Sequence, residues 1–469
     1  MNNSHQEIQK AIIEWFNKHQ RQDLPWRQPF LSKVDATTTI RGSVWVPDPY
    51  HVWVSEVMSQ QTQMDTVIRY FKQWIDIFPN VAALAEASEE SVKAVWSGMG
   101  YYRRAVYLKK GAEYVLRQFG GNLPSTASQL MKVPGIGPYT AAAIASICFG
   151  EKVISVDGNV VRVLSRLRCA RDFDPKVAKN IKTVMQWGQE LMNDGPCNNP
   201  GALNQGLMEV GARVCKPSGR PLCEECPLQS LCKAYAAKER GELEVIEGIV
   251  PLRAVSVRKK KEKVICVVHE FILDKNEDIQ IPRHFIVVQR PNDGLLGGML
   301  EFPSITCVSS SENDIKKEMN SGDDDDGDSF NNSENVFNDK KIMKLLERLS
   351  AGHSEVIPVG SVRHIFSHID MEVIVYHALW RETTEEAKKN IGGVKMEETN
   401  NSGLKRLVCV SLAKELGVVP SRIYVKTEEE IKSSAASRLL LKILHKLPLN
   451  TDQRNLKVVG VKKRQRTTV

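Results

Sequence analysis

What this sequence lacks narrows it first. Its 469 residues hold no apolar run near the roughly 20 needed to cross a bilayer as a helix. The opening residues, MNNSHQEIQKAIIEWF, lack the basic, apolar, small-residue order of a secretory signal. A disulfide framework is therefore not expected, and the ten cysteines call for another explanation. Glycine (30) and proline (21) are near average, which excludes a collagenous or low-complexity chain. No internal repeat is visible. With 42% hydrophobic and 26% charged residues the composition is globular, and the length exceeds one ordinary core, so two or three domains are expected.

Basic residues outnumber acidic ones in the chain as a whole, and more so outside one stretch. The net charge is +8, yet residues 311–340 carry ten Asp and Glu against three Lys, a local −7 that leaves +15 on the rest. A basic body with a separable acidic segment points to a polyanionic partner, nucleic acid first.

Residues 6–237 read as helical nearly throughout. Ile8, Ile12, Trp15 and Phe16 form one apolar stripe, and further helices are predicted over 52–74, 82–95, 104–119, 139–149 and 177–193. The stretch 32–46 interrupts them as a surface loop. Residues 237–262 turn charged and read as a connector. Beyond them VICVVHEFIL, HFIVVQR, EVIVYHALW and RLVCVSL have strand character, with helices over 341–349 and 434–445. The domains are thus expected at 1–236, helical, and 263–446, α+β. A disordered acidic insertion (308–340) interrupts the second, and a basic, disordered tail (447–469) follows it.

Four cysteines, Cys215, Cys223, Cys226 and Cys232, fall in a C-x7-C-x2-C-x5-C spacing, close enough to surround one soft centre. A [4Fe–4S] cluster is the expected occupant. Zinc offers the alternative, although zinc ribbons usually set two CxxC pairs apart. Four protein ligands leave no open position, so a structural staple is expected rather than a catalytic centre. Lys216 and Arg220 in the first gap are candidates for phosphate contacts.

The stretch LMKVPGIGPYTAAAIA holds Gly135 and Gly137 between Pro134 and Pro138, a tight turn opening a helix whose N-terminus favours a phosphate. Together with the cysteine cluster some seventy residues on, this resembles the helix-hairpin-helix DNA glycosylases of the endonuclease III superfamily, and within them the MutY-type adenine DNA glycosylases. The matching stretches are LPWR, PYHVWVSEVMSQQTQ, SGMGYYRRA, VPGIGPYTA, VDGNVVRVLSRL, NQGLMEVGARVC, LLGGMLEFP and FSH. Two positions depart from the family: its first cysteine gap is usually six residues, and Ser59 stands where leucine is usual.

Adenine excision needs a proton for the leaving base and an anion beside the cationic sugar. Glu56 lies in an apolar helix between Trp53 and Met58, where burial would keep it protonated. The resemblance makes it the general acid toward the base. Asp157, in V-D-G-N at a helix start, would ordinarily be a plain N-cap. The family sets it against the oxocarbenium ion, with Asn159 orienting that region. The resemblance also implies that Tyr139 hydrogen-bonds near Asp157. Tyr139 stands where lyase relatives carry a Schiff-base lysine, so a monofunctional enzyme is expected. Arg27 and Glu209 would bind the extruded adenine, Gln60 and Gln61 would enter the duplex, and Tyr101 would wedge beside the lesion. Trp26 is expected in the core. Arg103, Arg104, Lys109 and Lys110 read equally as surface charges or phosphate contacts.

The second domain is Nudix-like by resemblance but lacks the R-E-x-x-E-E run that holds Mg²⁺, so pyrophosphate hydrolysis is not expected. Phe366, Ser367 and His368 would instead read 8-oxoguanine, and the expected substrate is duplex DNA with A·8-oxoG or A·G mispairs. A silent DNA-binding relative and a pyrimidine glycosylase with lyase activity are the alternatives. The residues 462–466 fit a nuclear localisation signal, with mitochondrial import left open. Repair or clamp proteins are expected on the connector of a monomeric enzyme.

Overall fold

The computed structural model describes residues 2–27, 47–171, 173–195, 197–252, 259–273, 283–291, 293–309, 340–353, 355–382, 403–434, 436–447 and 459–460. The expected loop at 32–46, residues 310–339 of the acidic insertion and most of the basic tail lie outside them. The chain divides into two compact units, Met1–Ser256 and Val257–Val469.

Among its described residues the first unit is helical: α1 (Asn2–His19), α2 (Pro49–Ser59), α3 (Met64–Ile77), α4 (Val81–Glu86), α5 (Glu89–Val95), α6 (Arg103–Phe119), α7 (Ala127–Leu130), α8 (Pro138–Phe149), α9 (Gly158–Arg168), α10 (Ala178–Asn193), α11 (Pro200–Glu209) and α12 (Lys233–Glu239). Local chemistry starts several of them. Asp48 accepts from the backbone N–H of Tyr50 (2.7 Å) and His51 (3.2 Å), and Pro49 occupies the first turn of α2. Trp53, Trp74 and Trp96 are fully buried. Each such ring contributes about 1.5–3 kcal/mol or more by leaving water. A second cluster joins α1, α9, α10 and α11 through Ile12, Val160, Leu164, Val184, Leu203 and Leu207.

The expected helix over 52–74 is two helices. The chain breaks after α2, where Gln61 takes φ +56° before α3 begins. The expected helix over 82–95 also divides, because Ser88 starts α5 by accepting from the Ser91 N–H. Within the stretch read as connector, Leu243, Ile246 and Val250 are buried against Ala234 and Ala237 of α12.

The second unit is a mixed sheet with helices. Its strands are β1 (Lys260–Leu273), β2 (His284–Gln289), β3 (Leu300–Glu301), β4 (Ser304–Ser309), β5 (Glu355–Ile365), β6 (Ile369–Glu382), β7 (Ile423–Thr427) and β8 (Val459–Gly460). The order β3-β2-β1-β6-β5-β8 forms the main path, with β4 on β1 and β7 on β2. β1 and β6 pair in parallel over their length; β5 and β6 form an antiparallel hairpin. The helices are α13 (Lys340–Leu349), α14 (Gly403–Leu416), α15 (Glu428–Ser433) and α16 (Arg438–Lys446).

Two expectations are corrected. RLVCVSL is not a strand but the middle of α14, which buries Val408, Leu412 and Ala413 and exposes Leu407 and Val410. A short apolar run fits either period, and the i, i+4, i+5 burial is helical. The basic tail contributes one ordered piece: Val459–Gly460 pairs with Glu355 and Val356 of β5.

Candidate active site

The first unit holds a cavity of about 720 Å³ whose lining includes Arg27, Glu56, Gln60, Gln61, Tyr139, Asp157, Asn159 and Glu209. These eight residues were picked out by sequence from five separate stretches; the fold gathers all of them. Glu56 projects from α2. Burial pushes its carboxyl above the ordinary range; the Tyr139 hydrogen bond and the Arg27 charge oppose that, and the Asp157 charge adds to it.

Tyr139, in the first turn of α8, donates its hydroxyl to Glu56 Oε2 at 2.6 Å. The partner of the hydrogen bond expected near Asp157 is thus the other carboxyl of the cavity. Burial, then the charges of Glu56 and Asp157, holds the phenol well above its ordinary value, so it stays a donor. With Oε2 occupied as an acceptor, the proton of a neutral Glu56 falls to Oε1.

Asp157 is the N-cap that its sequence position allowed, and its second oxygen bonds Asn159. Oδ1 caps α9 by accepting from Val160 N–H at 2.8 Å, and Oδ2 accepts from Asn159 Nδ2 at 2.7 Å. Asn159 is held in turn by Arg162, whose Nη2 donates to Asn159 Oδ1 (2.8 Å) and to the Gly211 carbonyl (2.7 Å). The extended segment leading to Asp157 is pinned by Asn204 of α11. This fully buried side chain accepts from Ser155 N–H (3.0 Å) and donates to Val153 O and Ser146 Oγ, both at 2.9 Å.

Across the cavity Arg27 donates to the Glu209 carboxylate and, through Nε, to Gln205 Oε1 at 2.9 Å. Arg21 (3.5 Å) and Arg213 (3.4 Å) also reach Glu209, which is 1% exposed. Burial lowers the Arg27 guanidinium, with Glu209 pulling the other way. Gln205 and Met208 line the same wall and were missed by sequence, although Gln205 sits one helical turn before Glu209.

The expected DNA-facing residues lie on turns. Gly135 has φ +85°, and a Cβ there would stand 2.7 Å from Tyr107 Cβ, so only glycine fits. Gly137 is the N-cap of α8. Tyr101 is 49% exposed with φ +49°. Trp26 is core, edge-on to Phe71. Of the four ambiguous cations, Arg103 lies over the Tyr107 ring at 5.9 Å, and Lys109 bonds Ala85 O and Glu113. Arg104 is neither a free surface charge nor a carboxylate partner: its terminal nitrogens bond backbone carbonyls and the Thr62 hydroxyl.

The four clustered cysteines are half-buried. Burial pushes up the thiols of Cys223 (to about 11), Cys226 (to about 12) and Cys232, and the negative charge of neighbouring cysteines, Cys215 among them, adds to these shifts. Arg166 donates from Nη1 to Cys215 Sγ at 3.2 Å, and Arg162 from Nε to the Cys215 carbonyl at 2.7 Å. The donor set, four sulfurs in mutual electrostatic contact, fits a thiophilic centre. Among the described residues no group of three or more His, Cys, Asp or Glu closes to the reach of a single ion.

In the second unit Phe366, Ser367 and His368 form the turn of the β5–β6 hairpin. Phe366 N–H donates to Ile369 O at 2.8 Å, its ring packs on the sheet core and against His364 (4.5 Å), and Ser367 and His368 are exposed.

The HhH-GPD superfamily base excision DNA repair protein family matches residues 54–187, and the NUDIX domain family matches 279–413. The chain is 35% identical over 393 residues to adenine DNA glycosylase of Mus musculus, covering 78% of this chain and 69% of that one. It is 34% identical over 399 residues to the protein of the same name from Rattus norvegicus, covering 79% and 70%. A solved structure of a thermostable thymine-DNA glycosylase aligns at 26% identity with a TM-score of 0.40, over 50% of this chain and 98% of that one.

Proposed function

The chain belongs to the adenine DNA glycosylases of base excision repair, and from that premise we propose that it hydrolyses the N-glycosidic bond of adenine opposite 8-oxoguanine, or guanine, in duplex DNA without cleaving the strand. The observation that carries this is the pair of carboxyls in one cavity, Glu56 raised by burial and Asp157 fixed in place by a backbone N–H and an amide. The extruded adenine lies between Glu56 Oε1 and the Arg27–Glu209 wall. Glu56 protonates a ring nitrogen, the base leaves neutral, and Asp157 faces the positive charge that develops on the sugar. Water then completes hydrolysis. Tyr139 supplies no amine, so no Schiff base forms at this position and the abasic strand is left intact.

Gln60, Gln61 and Tyr101 enter the duplex, and Phe366, Ser367 and His368 read the oxidised base on the opposite strand. Repair or clamp proteins dock on residues 237–262, and the enzyme works in the nucleus, with a mitochondrial share left open. Duplexes carrying A·8-oxoG, A·G or thymine glycol, assayed with and without alkali, test the reading. Cleavage at A·8-oxoG only after alkali is expected; base loss from thymine glycol alone, or alkali-independent nicking, would overturn it.

The Tyr139–Glu56 bond carries a pH prediction. The acid must be protonated, so excision is flat below the Glu56 value and falls as pH rises through it. Tyr139→Phe removes the hydrogen bond that lowers this value, so the alkaline limb should move to higher pH. The plateau, where Glu56 is neutral, should drop by up to roughly tenfold for one lost hydrogen bond. Single-turnover pH profiles of the two proteins check it, and a limb displaced to lower pH contradicts the assignment.

Cys215, Cys223, Cys226 and Cys232 would hold a [4Fe–4S] cluster, which when bound supplies a structural crosslink between the end of α11, the loop after it and the start of α12. Cys226→Ser should lose the cluster's iron and visible absorbance and lower the melting midpoint by on the order of 10 °C. An unchanged midpoint in an iron-free variant would remove the staple role.

A further inference from the structure

Two loops carry the side chains assigned to strand opening, residues 60–62 after α2 and 98–101 before α6. Both contain backbone that ordinary residues avoid: Gln61 at φ +56° and Tyr101 at φ +49°. Such conformations persist only where the surroundings over-determine them. Other side chains hold the second loop, since Trp96 Nε1 donates to Gly100 O at 3.0 Å and Tyr70 to Ser97 O at 2.6 Å. One side chain holds both loops. From the first turn of α6, Arg104 Nη1 donates to the carbonyls of Val57 (2.8 Å), Met58 (3.0 Å) and Gln60 (2.8 Å). Its Nη2 donates to Thr62 Oγ1 (3.3 Å) and to Gly100 O (3.2 Å). The guanidinium also lies 5.1 Å from the Trp96 ring centroid and 5.6 Å from that of Tyr101.

Three of the five acceptors belong to the last turn of α2 and the residue after it, where helix carbonyls have no partner of their own and a cation is favoured. None of the five is a carboxylate, so the group is not there to neutralise a charge. Burial pushes its value down to about 10, a cost that five neutral acceptors and two rings offset. Only a planar fork can address both loops at once; a lysine ammonium is a single point.

We propose that Arg104 is a positioning residue that locks Gln61 and Tyr101 into one preformed strand-opening wedge. This rests on the reading above, in which those side chains enter the duplex. It places the contribution of Arg104 in extrusion of the base, before any bond breaks. The locked loops meet the duplex already in the strained conformation, so no ordering is required at the moment of opening. Without the fork, Gln61 and Tyr101 relax to negative φ and the wedge must be rebuilt on the DNA.

The full-length protein and its R104Q and R104K variants are to be compared in three measurements. The first is the rate of 2-aminopurine fluorescence rise when that base replaces adenine opposite 8-oxoguanine. The second is single-turnover adenine excision from the intact A·8-oxoG duplex and from adenine opposite an abasic gap, where opening is already done. The third is the pH midpoint of excision, which reports Glu56. In both variants extrusion and duplex excision should slow ten- to hundredfold, excision from the gapped substrate should change less than threefold, and the pH midpoint should stay where it is. Equal losses on both substrates, or extrusion at the parental rate in both variants, overturns the proposal. Should R104Q fail to fold by circular dichroism, R104K, which keeps the charge but not the fork, decides alone. If the parent protein extrudes 2-aminopurine but excises nothing, the glycosylase reading fails while the extrusion comparison still judges Arg104.

Discussion

Glu56→Gln should lower single-turnover excision of adenine by about a thousandfold, within the 10²–10⁴ range for a positioned general acid, while leaving the mispair bound. The substitution is nearly isosteric, and the Tyr139 hydroxyl that donates to Oε2 at 2.6 Å can donate to the amide oxygen instead. What disappears is the proton on the opposite atom. A glutamine presents an NH₂ there that hydrogen-bonds the base but cannot transfer to it. Retained binding alongside lost turnover separates a chemical role from a structural one. The alkaline limb of the parent profile should vanish as well, since the group that titrates is gone. Turnover within tenfold of the parent would falsify the assignment.

Asp157→Asn carries the second large effect. An amide has no net charge to set against a developing oxocarbenium ion, and the loss should be on the order of 10²–10³-fold, comparable to removing a preorganised electrostatic partner elsewhere. The residue is also the N-cap of α9, so a lower rate alone would not separate chemistry from folding. Asparagine caps about as well as aspartate, and its oxygen can still accept from Val160 N–H. Its NH₂ then meets Asn159 Nδ2, where the parent offers an acceptor at 2.7 Å. Asp157→Ala loses the cap entirely, about 1 kcal/mol. Rates should therefore fall alike in the two variants, while the melting midpoint falls further in Ala than in Asn. If activity instead follows stability across the pair, Asp157 is only a cap. Neutralising it also removes a charge that raises Glu56, so any residual activity in Asp157→Asn should lose its alkaline limb toward lower pH.

Much of this site was legible in the sequence because its motifs are local. Gly135 sits in a turn that only glycine's conformational freedom permits, Gly137 caps the helix after it, and Asp157 precedes a helix it caps. Where periodicity was ambiguous, reading failed in the ways short-range signals allow. RLVCVSL has branched and apolar residues enough for a strand, and becomes helix α14 because one side of it is needed against the sheet. The predicted helix over 52–74 ran through Gln61, since no glycine or proline there announces the break. Arg104 read equally as a helix-surface charge or a phosphate contact, for four of its five acceptors are backbone carbonyls, up to 47 residues away, and carbonyls carry no sequence signal.

By itself the sequence determined the kinds of chemistry present: a carboxylate in an apolar helix, an aspartate at a helix start, a tyrosine in place of a lysine, four thiols within eighteen residues. The first two and the last follow from composition and spacing over a few turns of chain, and the tyrosine from the resemblance to the family. Only the tertiary structure decided how they are wired. Tyr139 joins Glu56 across 83 residues, Glu209 draws in Arg21 and Arg27 from more than 180 residues before it as well as its own helical neighbour Arg213, and Arg104 holds two strained loops together. The physical reason is that propensity acts within a helical turn. Desolvation, hydrogen-bond partnership and strain depend instead on which surfaces are pressed together, and that is settled only once the core has packed.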